Sequence, residues 1–258
     1  MGADSGWRSL GAAEFYADHD LADFAQEFLR RNPDYRHSYA ELIARCGPPG
    51  DEPAEDWERF AHDWGLAYPC DPAQSPAAQP ALWLPAAAAM AVPVVADAAA
   101  PALPLPARAE VVVGRRTCAG HGLVVMIDRV RHRLWLKSGP RGCPLTYAIP
   151  VDLAARRRLI AARAFHASCF AAGDSFRSAR PCPPTHYQRR RLVLLLALSD
   201  AAAAGRSQRD MAFALVFPNH APRSGADWKT SSERRGTQRL LLEARRMTAH
   251  GYRTLLIG

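Results

Sequence analysis

The stretch DWKTSSERRGTQRLLLEARRM, Asp227–Met247, decides how the C-terminal part of this chain folds. Two serines stand between a lysine and a pair of arginines, and a long apolar and basic run follows. At about 100° per residue, the arginines and the apolar residues separate onto opposite sides of a helix, so the stretch predicts an amphipathic helix. Ser231 or Ser232 is expected to cap this helix, which should end near His250 and Gly251.

One side of the predicted helix is almost wholly cationic. Five arginines and one glutamine share this side with a single apolar residue, Leu242: Arg234, Arg245, Gln238, Arg235, Arg246 and Arg239. The other side is apolar and is expected to pack on the preceding helices through Met247, Leu240, Ala244, Thr237 and Leu241. Few carboxylates lie close enough to pair with the arginines. The pattern favours a helix that meets a polyanion, although arginines on a solvated face remain the alternative.

Polar residues stand at the predicted entrance of this helix. Lys229, Thr230, Ser231 and Ser232 lie where side chains and backbone N–H groups can hold a phosphate. Trp228 is expected to anchor the helix start in the core, and Gly236 is expected to lie at the edge of the buried side, where close packing favours glycine.

The residues before the basic helix predict a helix-turn-helix-like order. Ser207 and Asp210 form an acidic version of a capping box, which predicts a short helix over Asp210–Val216. A loop with Pro218 and Pro222 leads to the long basic helix. This order is that of a helix-turn-helix, although the loop is longer than the usual tight turn.

Upstream of these helices, the sequence predicts an α+β fold. Helices are expected from Asp152 to about Ala172 and from Gln188 to Ala204, where Gly205 is well placed to end the helix. Four short β-branched or alternating runs between Gly-rich turns predict a small antiparallel sheet: Glu110–Val113, Gly122–Ile127, Arg133–Lys137 and Leu145–Ile149.

The N-terminal part predicts a small helical module followed by a linker. Apolar residues recur at three- and four-residue spacing before Asn32, and two further amphipathic segments follow over residues 34–44 and 55–64. Residues 73–107 are rich in alanine and proline, which predicts a linker because they offer little large apolar surface. The predicted domains are a helical module (10–72), the linker (73–107) and a C-terminal domain (108–258), which has a β subdomain (108–152) and a helical part (153–258) with a terminal recognition helix at about 231–250.

Charge is distributed unevenly along the chain. Residues 1–75 hold 6 basic and 15 acidic side chains, whereas residues 76–185 have a net charge of +9 and residues 186–258 one of +8. A basic C-terminal part most simply binds nucleic acid, while an acidic membrane surface or an acidic protein remains an alternative partner.

The six cysteines form no CxxC pair and no secretory signal opens the sequence, so a reducing, cytoplasmic location without disulfides is expected. Prolines in the longest apolar stretch argue against a membrane helix.

The sequence contains no motif of a common enzyme class. The phosphate-binding loop, the dinucleotide fingerprint, the nucleophile elbow and the zinc-protease motif are all absent. Zinc-ligating side chains are present at Cys118, His121, His132 and Cys143, but only the first two have a common spacing, so separate turn and strand residues are favoured. The acidic cluster of residues 51–58 is better interpreted as a solvated helix entrance than as paired catalytic carboxylates. We therefore predict no catalytic residue, no cofactor and no metal.

Two regions resemble known bacterial families. RRRLVLLLALSDAAAAGRSQRDMAFALVF and DWKTSSERRGTQRLLLEARRMTAHGYRTLL, within Arg189–Leu256, resemble the RovC-like DNA-binding domain, named for a transcriptional activator of type VI secretion genes. Trp228–Ser232 and Gly251–Leu256 carry much of this resemblance. DLADFAQEFLRRNPDYRHSYAEL with WGLAYPCDPA is similar to a transcriptional regulator-like domain. The resemblance implies a sequence-specific, oligomeric DNA-binding regulator, and the proline-rich loop FPNHAPRSGAD is longer than the turn of that family.

The favoured interpretation is a transcriptional regulator that docks its basic C-terminal helix on double-stranded DNA. The candidate DNA-binding residues are Arg209, Lys229, Thr230, Ser231, Ser232, Arg234, Arg235, Gln238, Arg239, Arg245 and Arg246. Phosphates are expected at Lys229, Ser231, Ser232 and Arg245, and base edges near Arg234, Arg235, Gln238 and Arg239. Arg209 is placed to clamp the DNA backbone.

The expected partners of such a regulator are duplex DNA, further copies of the chain and the transcription machinery, at the nucleoid in the cytoplasm, with no membrane partner. The alternative is a non-catalytic adaptor that binds protein partners through its acidic N-terminal and basic C-terminal surfaces.

Overall fold

The computed structural model of the chain describes residues 14–50, 54–98, 106–137, 144–170, 181, 183–222 and 225–257. As predicted, the fold is α+β, with helices at both ends and a five-stranded, mostly antiparallel sheet in the middle. The described residues divide into two compact units, which do not simply follow chain order. The first unit holds residues 14–19 and 184–252, and the second holds residues 20–183 and 253–257.

Three helices precede the sheet, as the apolar spacing predicts. They are α1 (Leu21–Leu29), α2 (Pro33–Cys46) and α3 (Glu55–Asp63). The side chain of Asp20 caps α1, and that of Asn32 caps α2 by accepting hydrogen bonds from two backbone N–H groups. Rings from α2 and α3 pack against one another with centroids 5.4 to 6.1 Å apart, and they belong to Tyr35, Tyr39, Trp57 and Phe60.

The sheet has the strand order β2-β3-β4-β1-β5. Its strands are β1 (Val92–Ala96), β2 (Glu110–Thr117), β3 (Gly120–Ile127), β4 (Val130–Lys137) and β5 (Leu145–Tyr147). Strands β2, β3 and β4 form an antiparallel meander, while β1 is parallel to β4 and antiparallel to β5. Asp128 and Arg129 both have positive φ, which is the conformation that a two-residue turn between twisted strands requires.

The alanine- and proline-rich segment differs from the linker that its composition predicts. Strand β1 comes from this segment and lies inside the sheet, and Leu82 and Trp83 are buried. The amide of Gln26 in α1 donates to the carbonyl of Gln79 at 2.7 Å and accepts the N–H of Ala81 at 2.8 Å. Hydrogen bonds to the backbone and a few buried apolar side chains thus order this segment, and overall composition records neither the bonds nor the packing.

A buried network of ion pairs joins α1 to β4. Asp23 is fully buried and accepts hydrogen bonds from Arg131 at 2.8 Å and from Arg133 at 2.7 Å, while Asp20 also pairs with Arg133. Burial acts to lower the pKa of Arg133, but the two carboxylates outweigh burial and raise it. Buried charges that lose their partners cost several kcal/mol, roughly 3–5, so this network holds the first helix on the sheet.

The C-terminal half of the chain is helical. Helix α4 (Ala155–Phe170) follows the sheet, and the later helices are α5 (His186–Ala203), α6 (Gln208–Met211), α7 (Gly225–Thr230), α8 (Ser232–Arg246) and α9 (Arg253–Ile257). Helices α6 and α8 each continue into one π-helical segment, over residues 212–216 and 247–251. Gly205 ends α5 with φ +72°, as predicted. Helix α7 has no counterpart in the prediction, which placed a loop there.

Candidate nucleic-acid interface

The basic helix predicted from sequence is α8, and Ser231 caps its N-terminus. The Oγ atom of Ser231 accepts the backbone N–H of Arg234 at 3.1 Å and donates to the carbonyl of Trp228 at 3.0 Å. Ser231 is only 9% exposed. Its hydroxyl is therefore engaged in two hydrogen bonds within the chain, and it fixes where α8 begins.

The apolar side of α8 packs into the C-terminal unit as the helical spacing predicts. Thr237, Leu241 and Ala244 are buried, and α5 supplies the main surface against which they pack. A Cβ atom at Gly236 would lie 3.1 Å from Cζ of Phe217, so the close packing expected at this glycine is present. Only one side of α8 therefore packs in the core, and the opposite side does not contribute to it.

Both carboxylates of α8 are engaged away from its arginines. Glu243 forms a two-pronged ion pair with Arg191 of α5, with Nε to Oε1 at 3.0 Å, and this hydrogen bonding raises the pKa of Arg191. Glu233 is 4% exposed and lies 3.1 Å from Nδ1 of His220. Neither acid is available to neutralise the arginines of its own helix.

The solvent side of α8 forms a single surface, named here the arginine face. All of its side chains are exposed: Arg234, Arg235, Gln238, Arg239, Leu242, Arg245 and Arg246. Within the part of the chain that the structure describes, no carboxylate forms an ion pair with any of these arginines. Arg235 and Arg239 lie one turn apart, and like charges at this spacing cost a helix a few tenths of a kcal/mol. A bound polyanion would remove that cost.

The residues predicted to lie at the helix entrance belong to two different helices. Lys229 and Thr230 occupy the last turn of α7, and Ser232 is the first residue of α8. All three are exposed. A guanidinium nitrogen of Arg234 donates to the carbonyl of Lys229 at 2.9 Å, which links the end of α7 to the start of α8. The entrance is thus a corner between two helices, where the sequence predicted a loop.

The preceding helix α6 contacts the same corner. Gln208 donates from its side-chain amide to the carbonyl of Arg234 at 2.8 Å, next to the half-buried Arg209. Ser207 caps α6 as predicted, accepting the N–H of Asp210 at 3.1 Å. The ring of Trp228 in α7 lies 5.7 Å from that of Phe213, in the segment that continues α6. These contacts bring the candidate residues of α6, α7 and α8 into one unit.

The other candidate clusters of the sequence are spread over the second unit. The strand register places His121 opposite Leu136 and His132 opposite Val125, so the two histidines lie four positions apart along the sheet. Cys143 lies outside the described residues. The described residues contain no group of three side chains placed to hold a metal ion.

The acidic cluster also has structural contacts. Arg59 pairs with Glu55 at 2.6 Å and with Asp56 at 3.4 Å. Glu58 accepts the backbone N–H of Cys118 at 2.8 Å. Asp51 and Glu52 lie outside the described residues.

No helix in the described ranges is both long and apolar enough to cross a membrane.

Two parts of the chain match known family models. Residues 148–256 match the family model described as "T6SS, Transcription factor, DNA binding domain". Residues 6–69 match the proteobacterial transcriptional regulator-like domain. The first match contains the whole arginine face and the corner before it. A search of curated proteins found no match to the chain.

Proposed function

We propose that this chain is a transcriptional regulator that docks the arginine face of α8 on duplex DNA, since residues 148–256 match the model of a T6SS transcription factor DNA-binding domain and residues 6–69 match a transcriptional regulator-like domain. The observation that carries the proposal is the concentration of exposed arginines on one side of α8, with both carboxylates of the helix engaged elsewhere. A surface of this kind attracts phosphates and releases their counterions on binding.

The dimensions of α8 suit the major groove of DNA. The groove is about 12 Å wide and admits one α-helix, and the 15 residues of α8 span about 22 Å. The two ends of such a helix extend beyond the base edges and approach the phosphates. We therefore place the hydrogen bonds of arginine and glutamine side chains to bases in the first two turns, and the phosphate contacts at the corner before α8 and at its far end.

The side chains of the first two turns suit specific bases. Arg235 and Arg239 carry the planar donor pairs that recognise guanine O6 and N7, and Gln238 has the paired donor and acceptor that suit adenine. Arg234 lies at the rim of this group, with one guanidinium nitrogen already bound to the carbonyl of Lys229.

Phosphates are assigned to the flanks of the arginine face. Lys229, Thr230 and Ser232 at the corner would contact one DNA strand, and Arg245 and Arg246 at the far end would contact the other. Arg209 would clamp the backbone beside the corner. Ser231, predicted from sequence to hold a phosphate, would act through its cap, which sets the position of the residues around it.

A salt titration of DNA affinity tests this docking mode. For the wild type, the logarithm of the association constant should fall linearly with the logarithm of salt concentration. Lys229→Ala should weaken binding to all duplexes and reduce that slope by about one, whereas Arg235→Ala or Arg239→Ala should lose about 1–3 kcal/mol of discrimination between the preferred duplex and a scrambled one.

Arg36→Ala is the matched control for these variants. Arg36 is an exposed arginine of α2, so its removal changes the net charge by the same amount at a different surface. It should bind DNA as the wild type does. If Arg235→Ala and Arg239→Ala bind and discriminate like Arg36→Ala, the docking mode is refuted. An affinity that hardly responds to salt would instead favour a protein adaptor.

Three further elements of the proposal follow from DNA binding. A regulator of chromosomal genes acts in the cytoplasm, at the nucleoid. Two or more copies binding neighbouring half-sites would give a spacing near 34–36 Å or a multiple of it. The acidic N-terminal helices, which carry the transcriptional regulator-like match, would then face the transcription machinery.

A further inference from the structure

One side chain of the arginine face has a chemistry unlike the others. Leu242 is 57% exposed and lies among cationic and polar residues. On a helix its neighbours at three and four residues are Gln238, Arg239, Arg245 and Arg246, which are all exposed as well. An isobutyl group therefore projects into solvent in the middle of a surface assigned to DNA.

Leu242 has no part in the packing of α8. The adjacent Leu241 is 9% exposed and Ala244 is 1% exposed, and these two residues face the core. On α8 itself, Leu242 is the large apolar residue left exposed among the described positions. Because it contributes so little to the core, truncating it should leave the urea midpoint of unfolding close to that of the wild type.

The major groove offers one kind of apolar group on base edges. Adenine, guanine and cytosine present hydrogen-bond donors and acceptors there, whereas thymine presents its C5-methyl group beside O4. An apolar side chain that enters the groove between hydrogen-bonding residues finds its matching surface only at that methyl group.

We propose that Leu242 recognises a thymine by contacting its C5-methyl group in the major groove, one helical turn beyond the base read by Gln238. This inference rests on the proposed docking of the arginine face. One turn of helix advances about 5.4 Å, and base pairs are stacked about 3.4 Å apart, so Leu242 meets the base one or two pairs along. The preferred site then has a thymine at a fixed distance from the position that Gln238 reads.

Replacing thymine by deoxyuridine removes the methyl group and nothing else, which makes a direct test. The full chain first selects duplexes from a randomised pool, and affinities are then measured by fluorescence anisotropy at one salt concentration. Each thymine of the selected duplex is replaced in turn by deoxyuridine. One or two positions should weaken wild-type binding about three- to fivefold, the effect expected for one buried methyl group.

The variant Leu242→Ala completes the cycle. It should bind the thymine duplex three- to tenfold more weakly than the wild type and show no further loss with deoxyuridine at the sensitive position. Leu242→Met, which keeps an apolar contact, should retain sensitivity to the methyl group. Ile257→Ala is the matched control, since Ile257 is also 57% exposed but lies in α9, outside the arginine face; it should behave as the wild type.

Two sets of results separate the failure of this inference from the failure of DNA docking. The assignment of Leu242 is overturned if deoxyuridine has no effect at any position, or if Leu242→Ala keeps the full methyl effect. In that case, salt-dependent binding and the losses in Arg235→Ala and Arg239→Ala would still support docking. A selected site without thymine at the predicted distance also overturns it. If the arginine variants bind as the wild type, the docking mode itself fails, and the assignment of Leu242 fails with it.

Discussion

The hydroxyl of Ser231 gives a sharp test of how the structure positions the arginine face. Sequence spacing assigns Ser231 to a phosphate, whereas in the structure it holds the N–H of Arg234 and the carbonyl of Trp228. Removing an N-cap hydroxyl costs about 0.5–2 kcal/mol. The part-buried hydrogen bond to the carbonyl of Trp228 adds to that cost, since a typical internal hydrogen bond contributes about 1 kcal/mol. We therefore expect Ser231→Ala to lower the free energy of unfolding by about 1–2 kcal/mol.

Urea denaturation followed by far-ultraviolet circular dichroism measures this loss without DNA. Ser231→Thr keeps a hydroxyl in place and should recover most of the stability. The neighbouring Ser232→Ala is the matched control, because Ser232 is exposed and donates only to the carboxylate of Glu233 at 3.1 Å. It should change the free energy of unfolding by less than about 0.5 kcal/mol.

DNA affinity gives a second measurement that distinguishes Ser232 from Ser231. Ser232→Ala should weaken binding without loss of stability, because its hydroxyl is assigned to a phosphate. The reasoning about Ser231 is refuted if Ser231→Ala is as stable as the wild type, or if Ser231→Ala and Ser232→Ala lose equal stability. Either result would mean that the hydroxyl of Ser231 contributes no more to the start of α8 than that of the exposed Ser232.

Two further predictions concern the second unit. Asp23→Asn should lower the free energy of unfolding of this unit by roughly 3 kcal/mol, because Arg131 and Arg133 each lose a buried carboxylate while Asp20 still pairs with Arg133, and a urea midpoint close to that of the wild type would contradict this. Burial lowers the pKa of His132 to about 4, so the stability from its neutral form is complete above about pH 6.5 and is lost as pH falls toward 4. Between pH 7 and pH 4.5, the free energy of unfolding measured in urea should fall by up to about 3 kcal/mol less in His132→Leu than in the wild type. An equal fall in the two proteins would contradict this.

Local patterns predicted the elements that depend on neighbours in sequence. The apolar side of α8 follows a 3.6-residue period, so the burial of Thr237, Leu241 and Ala244 could be anticipated. Capping residues marked the starts of α6 and α8, and Gly205 marked the end of α5. These features come from contacts three or four residues apart, which a single sequence displays directly.

Non-local pairing accounts for what the sequence did not reveal. Strand β1 (VPVVA) is ordered by β4, whose residues lie about 40 positions further along the chain, and the alanines and prolines on either side of β1 resemble a linker when considered alone. Helix α7 is only six residues long and is held by contacts such as that between Trp228 and Phe213. Short isolated helices are unstable in water, so no local pattern predicts one that depends on its neighbours.

Residue order alone gives α8 one apolar and one cationic side, because the helical period converts spacing along the chain into position around the helix. That this cationic side is exposed follows from the tertiary structure. Arg191 and His220 engage Glu243 and Glu233, so that among the residues the structure describes no carboxylate pairs with the arginines of this side. The tertiary structure also showed that the hydroxyl of Ser231 belongs to the fold, since a serine's hydrogen-bond partners depend on three-dimensional placement that residue order alone does not specify.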